Sequence, residues 1–504
     1  MRKVLFVVVV LTFAVAFTTF VPAEKIGAVG NLKVERAFER TPEQMDAFDA
    51  TMAAPASREV PFRPTIDESV YRQMKQAAMQ RAAQSARPNP GPSPLAPVIK
   101  RQFGGATECD GPGGCWVPPD VAGVVGTSQF VSTSNNVFEV RSKGTGLLLK
   151  TNSLNGLCGY SAQAEFDPRV LYDEEWQRWV ITAVAFPNSA TDQEMCLAIS
   201  KTNSATGPFW VFVFNVNVVV GANGFYDFPM LGMQQDYLIF TANAFGANAF
   251  LGSSLFAIPK ARVYNGFGFG VPFTTGLAAT LQPSRTIGLD TNPAAWLAAA
   301  PNGSGVIDLY QFFPPSFTIN GPFNPTGVTA YGVPPAAPET AACGAFLDTS
   351  DNRFGSVGIQ YGNTLYQTHT TNDFGFATPR YYIINLGTMA ATQADFFATA
   401  TSYDFNPSIS AQPNGRFAIG WSVTDPPNGV NNQQWYTNSA TGTLNLASGT
   451  CYGTAGAVNR WGDYSSTSAD PGTHTPSSFN TNLFWIDNEL GAGSLWTTHI
   501  GELQ

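Results

Sequence analysis

The chain has 504 residues, with 27 Lys+Arg against 36 Asp+Glu and a formal net charge of −9. Charged residues make up only 12%, while Gly (48), Pro (36) and Phe (38) abound, which argues against coiled coils and helical bundles. The acid excess excludes a nucleic-acid partner, because neutralising phosphates needs clustered Lys and Arg. The length allows two or three domains of ~100–200 residues or one large β fold, and it can bury a core without disulfides or metals.

Arg2-Lys3 precede an apolar run from Val4 to Phe17, and Val21-Pro22-Ala23 stand before Glu24. A basic flank, a hydrophobic stretch and a small-residue cleavage site make residues 1–23 a secretory signal peptide. An uncleaved anchor would need ~20 apolar residues, and Thr12, Thr18 and Thr19 interrupt the run. The expected product is secreted (extracellular, periplasmic or cell-surface) and has no membrane span. Six cysteines follow the signal: Cys109, Cys115, Cys158, Cys196, Cys343 and Cys451. An even number in an oxidising compartment suggests disulfides. Cys109 and Cys115 flank a turn-rich Asp-Gly-Pro-Gly-Gly loop that brings them together; Cys158 with Cys196 and Cys343 with Cys451 are then guesses. There is no CxxC pair and the histidines are scattered, which disfavours zinc.

Residues 24–101 hold 12 basic and 9 acidic residues. Thr65-Ile-Asp-Glu68 reads as a capping box, and Ile66, Val70, Met74 and Ala77 follow at helical spacing, predicting one helix over 66–84. Arg87–Pro97 carries five prolines in eleven residues, a semi-rigid spacer. The segment reads as a pro-region, a docked helix or, most simply, a loosely ordered tether. Residues 102–504 carry 13 basic and 27 acidic residues, a net charge of −14.

That larger part repeats itself. Phe166-Asp167-Pro168 leads through a short strand and turn to Arg178 and a second apolar strand; Phe405-Asn406-Pro407 leads likewise to Arg416. Tyr226-Asp227-Phe-Pro229 is a third version, and looser ones begin near Asp120, Asp290, Gly355 and Asp463. Each interval holds several short strands punctuated by Gly, Pro, Asn and Ser, as meanders require. The expected fold is an all-β propeller, most simply of seven four-stranded blades, because radial repetition leaves few sheet edges exposed.

At Pro118–Val125, Phe166–Trp179, Asp236–Asn243, Tyr366–Thr370, Asn459–Ser466 and Trp496–Glu502 the chain resembles a family of exported, largely uncharacterised bacterial β-propeller proteins, some described as sialidase-like. The resemblance covers residues 116–504 and implies fold and export rather than a reaction. Sialidases carry Asp-boxes, Ser-x-Asp-x-Gly-x-x-Trp; Ser468-Ala-Asp470-Pro-Gly472 matches the first three fixed positions, but Thr475 stands where Trp belongs. They also hold a substrate carboxylate with three arginines, for which Arg169, Arg285, Arg353, Arg380 and Arg460 are available.

Asp120, Asp167, Asp227, Asn406 and Asp463 occupy one place in the repeat. Carboxylates facing a common channel would invite a cation, and calcium, with 6–8 oxygen ligands, suits Asp120, Asp167, Asp227 and Asp463. The alternative is that each residue caps its own turn. No motif demands a cofactor. Arg460-Trp461-Gly462-Asp463-Tyr464 is the densest polar and aromatic cluster: Arg460 and Arg169 could clamp a carboxylate, Trp461 stack on a sugar, and Asp463 or Tyr464 move a proton. His369 lies in a strand, as a core residue or a base. The expected function is a monomeric binding or scaffold module for an extracellular glycan or protein, with the ligand at one channel mouth. The alternative is a glycoside hydrolase or polysaccharide lyase using Asp463, Arg460, Tyr464 and His369.

Overall fold

The computed structural model describes residues 24–52, 58–60, 62–82, 87, 95–109, 111–112, 114–135, 137–288, 290, 292–472 and 482–504. The expected signal peptide therefore lies outside the described residues. Seven antiparallel meanders follow one another along the chain. The second is typical: Glu165–Asp173, Arg178–Ala185, Glu194–Ser200 and Phe209–Asn215 pair in order. The other opening strands are Ala122–Val125, Phe225–Met233, Gln282–Thr286, Gly358–Tyr361, Tyr403–Ala411 and Ser466–Ala469. The fourth meander thus starts ahead of Asp290, its expected marker.

Each opening strand touches the opening strand of the next meander, and the seventh touches the first. Gly123 N–H donates to Ser466 Oγ at 2.9 Å across that last junction. Glu165–Asp173 and Phe225–Met233 are buried at every position. A strand covered on both faces needs no polar alternation, and Phe225–Met233 accordingly reads as nearly all apolar. Glu165–Asp173, by contrast, buries Glu165, Asp167, Arg169 and Asp173 among its apolar residues. Apolar layers fill the spaces between meanders, for example Phe166, Phe186 and Phe225 between the second and third.

The expected tether is instead a belt. Glu24–Ile26 pairs with the outer strand of the fourth meander, Gly30–Arg36 with that of the third and Phe38–Arg40 with that of the second. Helix α1 (Pro42–Asp49) then packs beside the first meander, its Thr41–Gln44 capping box intact. A second helix, α2 (Glu68–Ala82), is capped by Asp67, whose Oδ1 accepts from the Ser69 and Val70 amides, so the Thr65–Glu68 box does not form its start. Arg87 is fully buried against Asp404 at 3.0 Å. Finally Ile99–Thr107 becomes the fourth strand of the seventh meander by pairing with Leu495–Leu503. Short polar strands of three to seven residues carry too little hydrophobic pattern to be recognised beforehand.

The three disulfides are Cys109–Cys115, Cys158–Cys196 and Cys343–Cys451. The second ties α3 (Leu154–Cys158) to the second meander. Among the described residues no helix is long and apolar enough to cross a membrane.

Candidate functional site

Three opening strands share a local defect. The ladder slips between Phe166 and Arg169, between Asp227 and Met230, and between Phe405 and Ser408. In each, the residue before proline takes a left-handed conformation: Asp167 (φ 51°), Phe228 (φ 54°) and Asn406 (φ 51°). Asp120 (φ 48°) joins them in the first meander. The repeat is therefore aligned on the proline, and Phe228 rather than Asp227 is the equivalent of Asp167. Asp and Asn tolerate this conformation; a phenylalanine there is strained, a feature that clusters at functional sites.

The Asp120, Asp167 and Asn406 side chains bridge meanders, whereas Asp227 accepts from the neighbouring Phe228 N–H and Asp463 pairs with Arg460 three residues before it. Asp463 N–H donates to Asp120 Oδ1 at 2.7 Å, and Asn406 Nδ2 donates to the Gly462 carbonyl at 2.8 Å. The Tyr464 hydroxyl donates to Asp167 Oδ2 at 3.0 Å. Burial pushes Asp120 well above the usual carboxylate range, and the neighbouring Asp167 and Asp463 charges add to it. Asp167 is pushed up to about 7 by burial and then by Asp227 and Asp463. Asp227 reaches about 6 through burial, moderated by Arg63 and Arg353. Among the described residues no three of these carboxylates bring oxygens within 4.8 Å of one another. Asp120 already spends both oxygens on Asp463 N–H and Asn135 Nδ2. Among the described residues the set does not form a calcium cage.

Around the carboxylates, guanidinium groups alternate with rings. Arg169 lies 3.0 Å from the Tyr464 ring centre and 5.9 Å from that of Phe228. Arg353 lies 4.6 Å from the ring centre of Phe228 and 4.6 Å from that of Phe62, and Arg460 lies 5.6 Å from that of Phe62. Arg460 grips Asp463 through two bonds of 3.0 and 2.7 Å, and Arg353 grips Asp351 at 2.8 and 2.9 Å. Arg169 Nη2 is buried with no hydrogen-bond partner among the described residues. Of the five candidate arginines, Arg169, Arg353 and Arg460 thus gather at one mouth. Arg285 pairs with Glu174 beyond the far ends of the opening strands, and Arg380 with Asp395 in the fifth meander.

Other expectations change. Trp461 is 1% exposed, edge-to-face with Tyr452 and bonded through Nε1 to Ser422 Oγ, so it fills the core instead of offering a sugar platform. His369 is enclosed as well. Its nitrogens meet the Asn352 carbonyl at 2.6 Å and Tyr382 OH at 2.9 Å, and burial lowers it to about 3, which leaves a neutral core histidine. Asp470 accepts from Trp485 Nε1 and from Lys143, which explains it structurally; residues 473–475 of the degenerate Asp-box lie outside the described residues. Glu489, which no motif marked, accepts Gly462 N–H at 2.7 Å and is pushed well up by burial.

Between the opening strands lies a cavity of about 40 Å³ lined by residues from all seven meanders, Arg169 and Arg285 among them. Ligand pockets run to ~300–1,000 Å³, so this bore holds water at most. The chain's own residues 58–60 and 62–82 lie over the mouth beside Arg353 and Arg460. The Val60 carbonyl accepts from Arg460 Nε at 3.4 Å and the Arg63 carbonyl from Arg353 Nη2 at 3.3 Å. Tyr71 stacks on Phe62 at 5.2 Å, and Lys75 donates to the Pro334 and Ser350 carbonyls at 2.9 and 2.7 Å.

No protein-family model matches the chain, and no curated protein does. Similar solved structures include an apocarotenoid oxygenase of Synechocystis, with a TM-score of 0.39 and 10% identity over 67% of this chain and 73% of that one. Trypanosoma rangeli sialidase in complex with the inhibitor DANA gives 0.38 and 10% over 72% of this chain, which spans 57% of the sialidase. Penicillium chrysogenum α-L-arabinanase complexed with arabinobiose gives 0.34 and 10% over 82% and 99%. Scores and identities this low say nothing of this chain's ligand.

Proposed function

We propose that the seven meanders are the blades of an exported seven-bladed β-propeller that binds an extracellular glycan at the Asp463 mouth. The ring of contacts between opening strands supports the blade count, and the three disulfides support an oxidising compartment. The observation that carries the binding reading is the ladder of Arg169, Phe228, Arg353 and Arg460 beside Tyr464. Guanidinium forks recognise carboxylates and aromatic faces take sugar rings, so a uronate-bearing glycan is the ligand class of choice. A protein partner is the competing ligand.

A second reading has its own support. Asp167, held near 7 and bonded to Tyr464, sits close to an Asp463 that is ion-paired with Arg460. Two acids in unlike environments are what a glycoside hydrolase needs.

The test is thermal unfolding of the full chain with trigalacturonate and with neutral maltotriose. Binding to the folded state raises the midpoint by mass action. A rise with the uronate alone that Arg460→Gln abolishes supports the reading. No rise with either at millimolar sugar refutes it for the protein as it stands. Product release from the uronate, lost in Asp167→Asn, would move the protein to the hydrolase class.

A further inference from the structure

We propose that Arg58–Lys75 is an intrasteric cover, with Phe62 occupying the place between Arg353 and Arg460 that a ligand takes once the cover is displaced. The inference rests on the mouth being the binding site and adds how that site is regulated.

Phe62 is the one ring of the ladder that comes from outside the meanders. Phe228 and Tyr464 belong to the opening of the third and seventh, whereas Phe62 reaches the axis from the N-terminal segment. Its neighbours behave as a docked peptide does. Two of its carbonyls accept from the same two guanidinium groups. Arg63 lies 4.1 Å over the Phe225 ring and lends its charge to Asp227. Among the described residues the strand pairing here is Arg58–Glu59 with Trp116–Val117, two residues long and parallel.

Compare the rest of the N-terminal segment, which is pinned by longer ladders. Gly30–Arg36 runs seven residues along the third meander, and Ile99–Thr107 closes the seventh. Between these anchors the described residues of 58–75 are held by one two-residue ladder, the buried Val60, cation–π contacts and a few polar bonds. Such segments are drawn from the low-stability end of a fold and open without global unfolding.

Beneath the cover the charges remain paired: Arg460 with Asp463 and Arg353 with Asp351. Lifting the cover therefore exposes formed ion pairs and frees the Arg460 Nε and Arg353 Nη2 N–H groups that the Val60 and Arg63 carbonyls had taken, not a collapsed core. A carboxylate-bearing ligand would compete with Phe62 for the same two cations. Its apparent affinity in the covered chain is reduced by the fraction of molecules that are open.

The test is labelling of the full-length chain with phenylglyoxal, a dicarbonyl that modifies accessible guanidinium groups, read by peptide mass spectrometry. In the wild type Arg353 and Arg460 should resist while the half-exposed Arg101 reacts. Phe62→Ala should raise labelling of Arg353 and Arg460 by about tenfold or more, with Arg285 at the opposite end of the bore still protected. If Phe62→Ala also exposes Arg285, the fold has loosened and Lys75→Ala, which frees α2 from outside the mouth, decides in its place. Wild-type Arg353 and Arg460 reacting as fast as Arg101, or staying protected in both variants, overturns the cover. Calorimetry with trigalacturonate on the same samples separates the two readings. An opened variant that binds tighter than wild type upholds both; one that is labelled yet binds no tighter upholds the cover and removes the glycan.

Discussion

Asp487 illustrates how a buried acid writes pH dependence into this fold. It is fully buried, accepts from Ser132 Oγ at 2.5 Å through one oxygen, and has no partner among the described residues for the other. Burial raises it to about 7, with Ser132 opposing and the Glu139 charge adding. A carboxyl raised in the folded state holds its proton there while the unfolded chain has lost it. Its contribution is therefore most favourable below the unfolded value of about 4 and declines as pH rises to about 7. The slope in that window is at most about 1.4 kcal/mol per pH unit. Asp487→Asn should remove this share of the decline, so urea midpoints at pH 5 and pH 8 should lie closer together than in wild type. Equal gaps in the two proteins would show that the proton is not held there. Phe228 marks the limit of reading at this scale. Sequence offered Asp227 as the equivalent of Asp167 because acids were matched to acids. The backbone matches the residue before proline instead, and nothing local in the sequence announces a phenylalanine in a left-handed site.

At the scale of elements, the repeated meanders were legible and the belt was not. For the second meander the sequence predicts strands over Pro168–Asp173, Arg178–Phe186, Met195–Lys201 and Phe209–Val216. The last three agree to within a residue, because apolar runs between turn residues are a strong signal. The first starts earlier, at Glu165, because the polar Glu-Phe-Asp start gives no such signal. Glu24–Ile26 and Phe38–Arg40 are three residues each and mostly polar, and an edge strand of that length gains its structure from the ladder it joins. Thr41-Pro-Glu-Gln44 was a readable helix start that went unmarked. Arg87 tests how firmly the belt is fastened. Its guanidinium donates to Ser402 and Asp404 and lies between the Phe376 and Phe397 rings at 4.6 and 4.0 Å. Arg87→Ala leaves Asp404, already raised by burial, without its cation. Breaking such a pair costs about 3–5 kcal/mol. Equilibrium denaturation should register that loss, and a change below about 1 kcal/mol would mean the belt adds little at this point.

For the whole molecule, the decisive feature is how the ring shuts. Six meanders draw all four strands from one continuous stretch, but the seventh takes its fourth strand, Ile99–Thr107, from ahead of the first. Chain connectivity alone would leave the first and seventh meanders free to part. The Leu495–Leu503 ladder to Ile99–Thr107 and the Ser466 and Ser468 bonds to Gly123 and Val125 N–H hold them together. Phe103 sits in that ladder opposite Ile500, with its ring 6.1 Å from Trp485. Proline there deletes the Phe103 ring from the Trp485 layer, removes a backbone donor and fixes φ within the strand that closes the ring. Because every meander packs on two others around the ring, the penalty should be shared: Phe103→Pro should lower one cooperative transition, with tryptophan fluorescence and far-UV circular dichroism falling together. A variant that melts in two steps, or keeps the wild-type midpoint, would mean that the seventh meander is an appendage and that the inter-strand bonds at Ser466 and Ser468 suffice to hold the ring. The mouth depends on the same closure. Asp463 and Tyr464 lead into the seventh meander, while Asp120 and Asp167 belong to the first and second, so the bonds joining them exist only while the ring is shut.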